Sequence, residues 1–581
     1  MMKKIWLSCL ALVLLCGCAQ TSSKNQEETE VSMTQIQLDF EEFLDREYTD
    51  TVSSDALTLH YSLKNPEAYK IEAPELTLGE VDDESIVEGE QEIREVMKEL
   101  ESYDPEDLTA RQKDDWNMLH EYLDIQLRFE GLSYYQNLFS PAQSVTDALI
   151  TNFVEYKFYD EQDVKDYLVL LEDVPRYLEE CIEFTKKQSS MGLFMTDFSV
   201  DSTVAEIDKF LSKEGDSALI VSFENKLSNA EFDTDAYFKE NRTIVNEKIL
   251  PAYQWVKQQL EALKGTAVFE TLAETEEGKA YYEALYYYKS GSSLSPSKML
   301  EKGKEVLLEV LQEYMQLMYT DETLANRYMS VQFEEEEPEK ILNNYQKKLL
   351  KHFPEGPEVT YTAEYLDPSI TNEATIAYYL IPPFDFITDN VIKINPLATK
   401  GDTVTLYSTL AHEGFPGHCF QTTYYYDTNP HPIRTIVENQ GYIEGYAMYV
   451  EMYSFEWMLE EDPNLARFLA LDTELNYLLQ ALVDIGVNYE GWGKEGIRSF
   501  LKEYGFVDSD EMVNSLYEYV VSDPGLLLPY GIGLLEMNEL RKDTEEKLGK
   551  RFDEVEYHRT ILEAGPMYFD LLKEKINETA G

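Results

Sequence analysis

The feature that most constrains this chain is the spacing of its apolar residues. In "DVKDYLVLLEDVPRYLEECIEFTKKQ" (Asp163–Gln188) and "VNEKILPAYQWVKQQLEALK" (Val245–Lys264) they recur every three or four positions, the period that gathers them on one face of an α-helix. "IQLDFEEFLDREY", "IREVMKELESY" and "WNMLHEYLDIQLRFE" carry the same pattern from Gln35 onward. Side chains of a strand alternate with a period of two, so strands could not bury these faces. The expected fold is therefore mainly α: a large helical array, with Pro and Gly at the breaks. With 581 residues, 43% of them apolar, the chain can bury the core such an array needs.

The N-terminus stands apart. Met1–Lys4 is a positive start, and Ile5–Leu15 is an apolar run too short to span a bilayer as a mature helix. Residues 1–17 therefore read as an export signal. Leu15-Cys16-Gly17-Cys18 resembles the bacterial lipobox, and the resemblance implies cleavage before Cys18 and lipidation of its thiol. Residues 18–34 are polar and aperiodic, as suits a flexible tether. The mature protein is expected to face outside the cytoplasm, held at the cell membrane by its lipid alone. A formal charge of −62 argues against nucleic-acid partners and against electrostatic attachment to anionic lipid. Cys9, Cys16 and Cys18 belong to the leader, which leaves Cys181 and Cys419. The core, not a disulfide framework, must hold the fold, and Cys419 reads as a small buried thiol.

Three segments depart from the helical period. "EVTYTAEYL", "ATIAYYLIPP" and "DNVIKINPL" are rich in β-branched and aromatic residues and end in turn residues. They read as a small antiparallel sheet preceding "STLAHEGFPGHCFQ" (Ser408–Gln421), and the chain returns to helix afterwards. The loop and helix start of "SGSSLSPSK" at Ser290 mark a boundary between a helical region, 35–289, and a second region, 290–581.

Ser408–Gln421 carries the chemistry. His412 and His418 are six apart, which on a straight helix leaves them about 120° apart, too far to share an ion. Pro416 removes the N–H that would bond the His412 carbonyl, so the helix must bulge or break there, and Gly414 and Gly417 allow the second imidazole to be re-aimed. A third ligand is expected from "QGYIEGYAMYVEMYSFEWM", where Glu444 and Glu451 lie on a stripe that is otherwise apolar. Carboxylates buried there need a cation, a metal or a donor. Glu444 is read as the third ligand of a single zinc ion, and Glu451 as the acceptor that orients an imidazole. Glu413, pointing away from its neighbour His412, is read as the general base that takes a proton from the attacking water.

"HEGFPGHCFQ", "EGYAMYVE" (Glu444–Glu451) and "LPYGIGLLEMNELR" (Leu528–Arg541) resemble the bacterial family catalogued as domain of unknown function 885. Tyr446 stands where that family usually has Trp, and "EAGPMYFDLL" departs from its usual Pro-Leu after the glycine. The family in turn is similar to helical zinc peptidases of the carboxypeptidase Taq, angiotensin-converting and oligopeptidase kinds. The resemblance implies His412, His418 and Glu444 as ligands, Glu413 as base, a helical array forming a deep cleft, and short peptides as substrates. It also implies oxyanion donors in the part of the chain that holds Tyr530 and His558. Arg541, eleven positions after Tyr530 and so near the same helix face, is expected to meet a substrate carboxylate or the surroundings of Glu413. "IKINP" (Ile392–Pro396) is expected to be an edge strand that pairs with extended substrate, with Asn395 as a polar handle.

The expectation is thus a lipid-anchored zinc metallopeptidase acting on short or unfolded peptides. The alternatives are a solute-binding lipoprotein, which requires two α/β lobes, and a scaffold whose histidines hold a structural metal.

Overall fold

The computed structural model describes residues 33–212, 216–366 and 376–579. The expected signal, Cys18 and nearly all of the expected tether lie outside the described residues. The described chain is mainly α-helical with one three-stranded sheet, and none of its helices is long and apolar enough to cross a membrane. The helices that matter most for the site are α1 (Gln35–Val52), α2 (Ala110–Arg128), α3 (Glu161–Ser190), α4 (Pro338–Leu349), α5 (Thr403–Glu413), α6 (His418–Asp427), α7 (Gln440–Met458), α8 (Pro463–Asn488), α9 (Leu528–Leu548) and α10 (Glu554–Ala564). Local signals explain several starts. Thr34, Thr109 and Asp160 close capping boxes on α1, α2 and α3, and Pro463 and Pro529 occupy the first turn of α8 and α9.

One hydrophobic core joins elements from both sides of residue 290. Phe40 and Leu44 of α1 and Leu119 and Leu123 of α2 share it with Ile392, Leu410, Met448, Leu534 and Ile561. A separate cluster in the N-terminal half is built on Tyr167, Leu170, Leu171 and Val174 of α3.

The sheet comprises β1 (Thr360–Tyr365), β2 (Ala377–Leu380) and β3 (Asp389–Ile394) in the order β1-β3-β2. It is mixed, not purely antiparallel: β1 runs parallel to β3, and β2 runs antiparallel to it. Composition identified the strands but not their partners. The stretch from Tyr365 to Asp389 is long enough for the crossover that parallel neighbours require, so β3 inserts between its two predecessors. Ile392–Pro396 is therefore not an edge: β3 is the central strand. Asn395 is fully buried, and its side chain accepts from the Leu397 N–H to cap a short helix. It has no surface to offer a substrate.

Helices α7 and α9 approach closely through glycines. A Cβ on Gly445 would lie 2.5 Å from the backbone carbon of Gly533, and one on Gly533 would lie 2.3 Å from the Gly441 carbonyl oxygen. No rotamer change relieves a clash with backbone, so the helices would have to separate. Gly445→Ala is expected to destabilise the protein by about 1–3 kcal/mol, read as a drop of several degrees in thermal midpoint.

Candidate metal centre

The break at Pro416 is what brings the two histidines together. Helix α5 ends at Glu413, a cis Phe415–Pro416 peptide follows, and α6 begins at His418. Gly417 donates its N–H to the Ala411 carbonyl at 2.9 Å, folding the turn back onto the end of α5. A Cβ at Gly417 would sit 1.7 Å from the His412 carbonyl oxygen. Close approach, not an unusual φ, is thus what demands glycine here. From α7, the buried Tyr446 hydroxyl donates to the Pro416 carbonyl at 3.1 Å and fastens the turn.

The imidazoles of His412 and His418 stand nearly perpendicular, their centroids 4.9 Å apart. Oε2 of Glu444 lies 3.4 Å from the Nε2 of His412 and 3.4 Å from the Nε2 of His418. The three ligand atoms all fall within 4.8 Å of one another. That carboxylate oxygen is buried and makes no hydrogen bond among the described residues, and 3.4 Å exceeds a normal N–H···O separation. A tetrahedral ion about 2.1 Å from each of two donors would hold those donors about 3.4 Å apart. The geometry therefore fits a small divalent ion between the donors better than it fits an ion pair, and the N,N,O donor set suits zinc.

The opposite nitrogens are also engaged. His412 Nδ1 is 3.3 Å from Glu451 Oε2, and His418 Nδ1 is 3.3 Å from Gln421 Oε1. With those nitrogens protonated, both Nε2 atoms are free to coordinate. Gln421, one turn into α6, was not singled out from the sequence, although its position three after His418 was a usable signal. Burial opposes charging of His412, but Glu444, Glu451 and Glu413 outweigh it and hold its pKa well above the ordinary range. A site that so favours an imidazolium favours a divalent cation for the same reason. Glu444 is held well below the usual carboxylate range: burial pushes it up, but the charge of His418 and contact with both imidazoles prevail.

Glu413 is buried at the end of α5, and the backbone N–H of Tyr379 in β2 donates to it. Burial raises its pKa, offset in part by the two histidines. The sheet thus positions the carboxylate beside the cluster. Cys419 faces away into the core, where burial pushes its thiol up to about 12.

Tyr530 reaches the cluster, its ring nearly parallel to that of His412 with centroids 6.3 Å apart. Arg541 and His558 do not. Arg541 donates to Glu545, to Glu554 and to the Tyr449 hydroxyl at 2.6–2.7 Å, so its guanidinium is committed to partners in the fold. Eleven residues of helix rise about 16 Å, which carries Arg541 past the site even though it lies near the face of Tyr530. His558 is fully buried and stacked on Phe353. Its Nδ1–H donates to the His352 carbonyl at 2.6 Å, and its Nε2 accepts from the Tyr449 hydroxyl at 2.8 Å. Both residues brace the face of α7 opposite Glu444.

Burial lowers the pKa of His558 to about 4, which links it to acid stability. Between its unfolded pKa of about 6.5 and about 4 the unfolded chain binds the proton and the folded chain does not, so this residue's contribution is lost as pH falls. His558→Gln is expected to cost most at neutral pH, with the gap to the parent narrowing towards pH 4. Denaturant midpoints measured across that range check this.

A cavity of about 160 Å³ bordered by Tyr288, Lys289 and Asp523 lies off the cluster, and neither histidine nor Glu444 lines it.

A family of bacterial proteins of unknown function, DUF885, matches residues 70–576. The chain belongs to this family. No curated protein matches this DUF885 chain. The solved structures similar to it include two of known source. One is a candidate lipoprotein from Colwellia psychrerythraea, 19% identical, with a TM-score of 0.79 over 94% of this chain and 99% of that one. The other is a candidate lipoprotein of unknown function from Shewanella oneidensis, 15% identical, with a TM-score of 0.61 over 92% of this chain and 99% of that one. At these identities the likeness is one of fold.

Proposed function

We propose that this DUF885 protein is a zinc metallopeptidase that hydrolyses short or unfolded peptides outside the cytoplasm. The observation that carries the reading is the buried, unbonded Oε2 of Glu444, 3.4 Å from both Nε2 atoms. A divalent ion held by His412, His418 and Glu444 supplies Lewis acidity to a substrate carbonyl and lowers the pKa of water.

The chain's own groups account for the rest. Glu413, buried beside the cluster at the end of α5, takes the proton of the attacking water and passes it to the leaving amine. Tyr530 keeps its proton at neutral pH and donates to the oxyanion that develops. Glu451 and Gln421 hold the two imidazoles in the tautomer that leaves Nε2 free. The side chains of His418 and Glu444 are only 12% and 23% exposed, so a substrate must be narrow enough to enter a recess, which folded chains are not.

A structural metal site would be closed by a fourth protein donor; among the described residues the cluster gathers three. A two-lobed solute binder would be built on parallel sheets, and the described chain has one three-stranded mixed sheet. Anchoring by a lipid at Cys18 is part of the proposal. Its support is the lipobox-like leader and two solved relatives described as lipoproteins.

The test is elemental analysis of the purified protein, then digestion of a defined mixture of short synthetic peptides read by mass spectrometry. About one zinc per chain is expected, with cleavage that a chelator stops and added zinc restores. A protein that takes up zinc yet leaves every peptide intact would refute the peptidase reading.

A further inference from the structure

The tyrosines around the centre divide into two groups. Those on α4 and α7 are committed to the fold: Tyr345 donates to the Tyr407 carbonyl, Tyr446 to the Pro416 carbonyl, and Tyr453 to Glu554. Tyr449 accepts from Arg541 and donates to His558. Tyr477 of α8 and Tyr530 of α9 differ. Neither hydroxyl has a hydrogen-bond partner among the described residues, neither is sealed from solvent, and both residues are half-buried. An unpartnered hydroxyl that still reaches open space can donate to something that arrives.

Their placement ties them to the centre. The Tyr477 ring lies nearly parallel to Tyr530, with centroids 5.8 Å apart, and Tyr530 is likewise aligned with His412. Glycine fixes this register: a Cβ on Gly531 would come within 2.5 Å of the Tyr477 carbonyl oxygen, so α9 rests directly on the α8 backbone that carries Tyr477. Burial and then the charges of Glu451 and Glu444 raise the Tyr477 hydroxyl above its usual range.

We propose that the Tyr477 hydroxyl is a substrate-binding group of this centre, donating to a carbonyl or carboxylate oxygen of the bound peptide beside the one that Tyr530 addresses. The assignment rests on the peptidase reading and adds a second recognition point to it. Tyr530, next to His412, acts on charge that develops during reaction. Tyr477, one ring further out, holds an oxygen whose charge does not change. The two should therefore separate kinetically: loss of a uniform binding contact raises KM, whereas loss of a transition-state contact lowers kcat.

Tyr477→Phe keeps the ring and its stacking and removes only the hydroxyl. The probe is the member of the synthetic mixture that the unmodified protein cleaves fastest. With Tyr477→Phe its KM is expected to rise about tenfold, with kcat changed by less than about twofold. A second readout needs no turnover: calorimetric binding of the same peptide to the Glu413→Gln protein should weaken about tenfold when Tyr477→Phe is added. Unchanged KM and unchanged calorimetric affinity would overturn the assignment. So would a fall in kcat alone, or a loss of zinc or of thermal stability that reveals a purely structural hydroxyl. Failure of the unmodified, zinc-loaded protein to cleave any member of the mixture would instead remove the peptidase reading itself, and this assignment with it.

Discussion

Glu413→Gln is expected to retain its zinc and to lose peptide hydrolysis by about 10²–10⁴-fold, the range attributed to a positioned general base. The substitution is close to isosteric, and an amide oxygen can still accept the Tyr379 N–H that now holds the carboxylate, so the turn between α5 and α6 should survive. What disappears is the ability to take a proton. Glu413 is not among the three convergent donors, so its loss should leave the stoichiometry of metal intact. Cleavage rates with metal content measured on the same samples decide the matter. A Glu413→Gln protein as active as the parent would mean that another group is the base.

The parts of this molecule that follow from local rules were legible in its sequence. Period located α1, α2, α3 and α7, because an apolar stripe is set by spacing within a few residues. The spacing of His412 and His418 around Pro416 foretold a broken helix because proline's missing donor acts on its own turn. Glu444 and Glu451 could be read as facing a polar centre because a carboxylate on an apolar stripe requires a partner wherever the fold puts it. Contacts set by the tertiary assembly were not legible. Nothing local distinguishes Arg541 as a substrate anchor from Arg541 as the partner of Glu554 and Tyr449. His558 carries no mark of its place beneath Phe353, and β3 gives no sign that β1 and β2 flank it. Tyr477 is one of 42 tyrosines, and only the crossing of α8 and α9 at Gly531 sets it apart.

On the proposed reading zinc affinity should fall in two tiers, because the side chains around the centre would either share the ion or orient those that do. Alanine at His412, His418 or Glu444 deletes one of three donors, and the loss should exceed the roughly 10–100-fold that removal of an outer partner costs. Glu451→Gln and Gln421→Ala belong to the milder tier. Within it Glu451 should matter more, because its carboxylate makes the His412 imidazole a stronger donor through Nδ1, whereas the Gln421 amide mainly fixes the ring of His418. Competition against a chromophoric chelator measures all five variants on one scale. Thermal midpoints give an independent check, since zinc that binds only the folded chain stabilises it by mass action: the parent and the milder variants should melt higher with excess zinc, and the donor variants should not. The most severe case is Glu444→Ala, because its one oxygen faces both imidazoles at 3.4 Å. If that variant bound zinc as tightly as the parent, the three side chains would not be sharing an ion, and the chemistry proposed for Glu413, Tyr530 and Tyr477 would have no centre to act on.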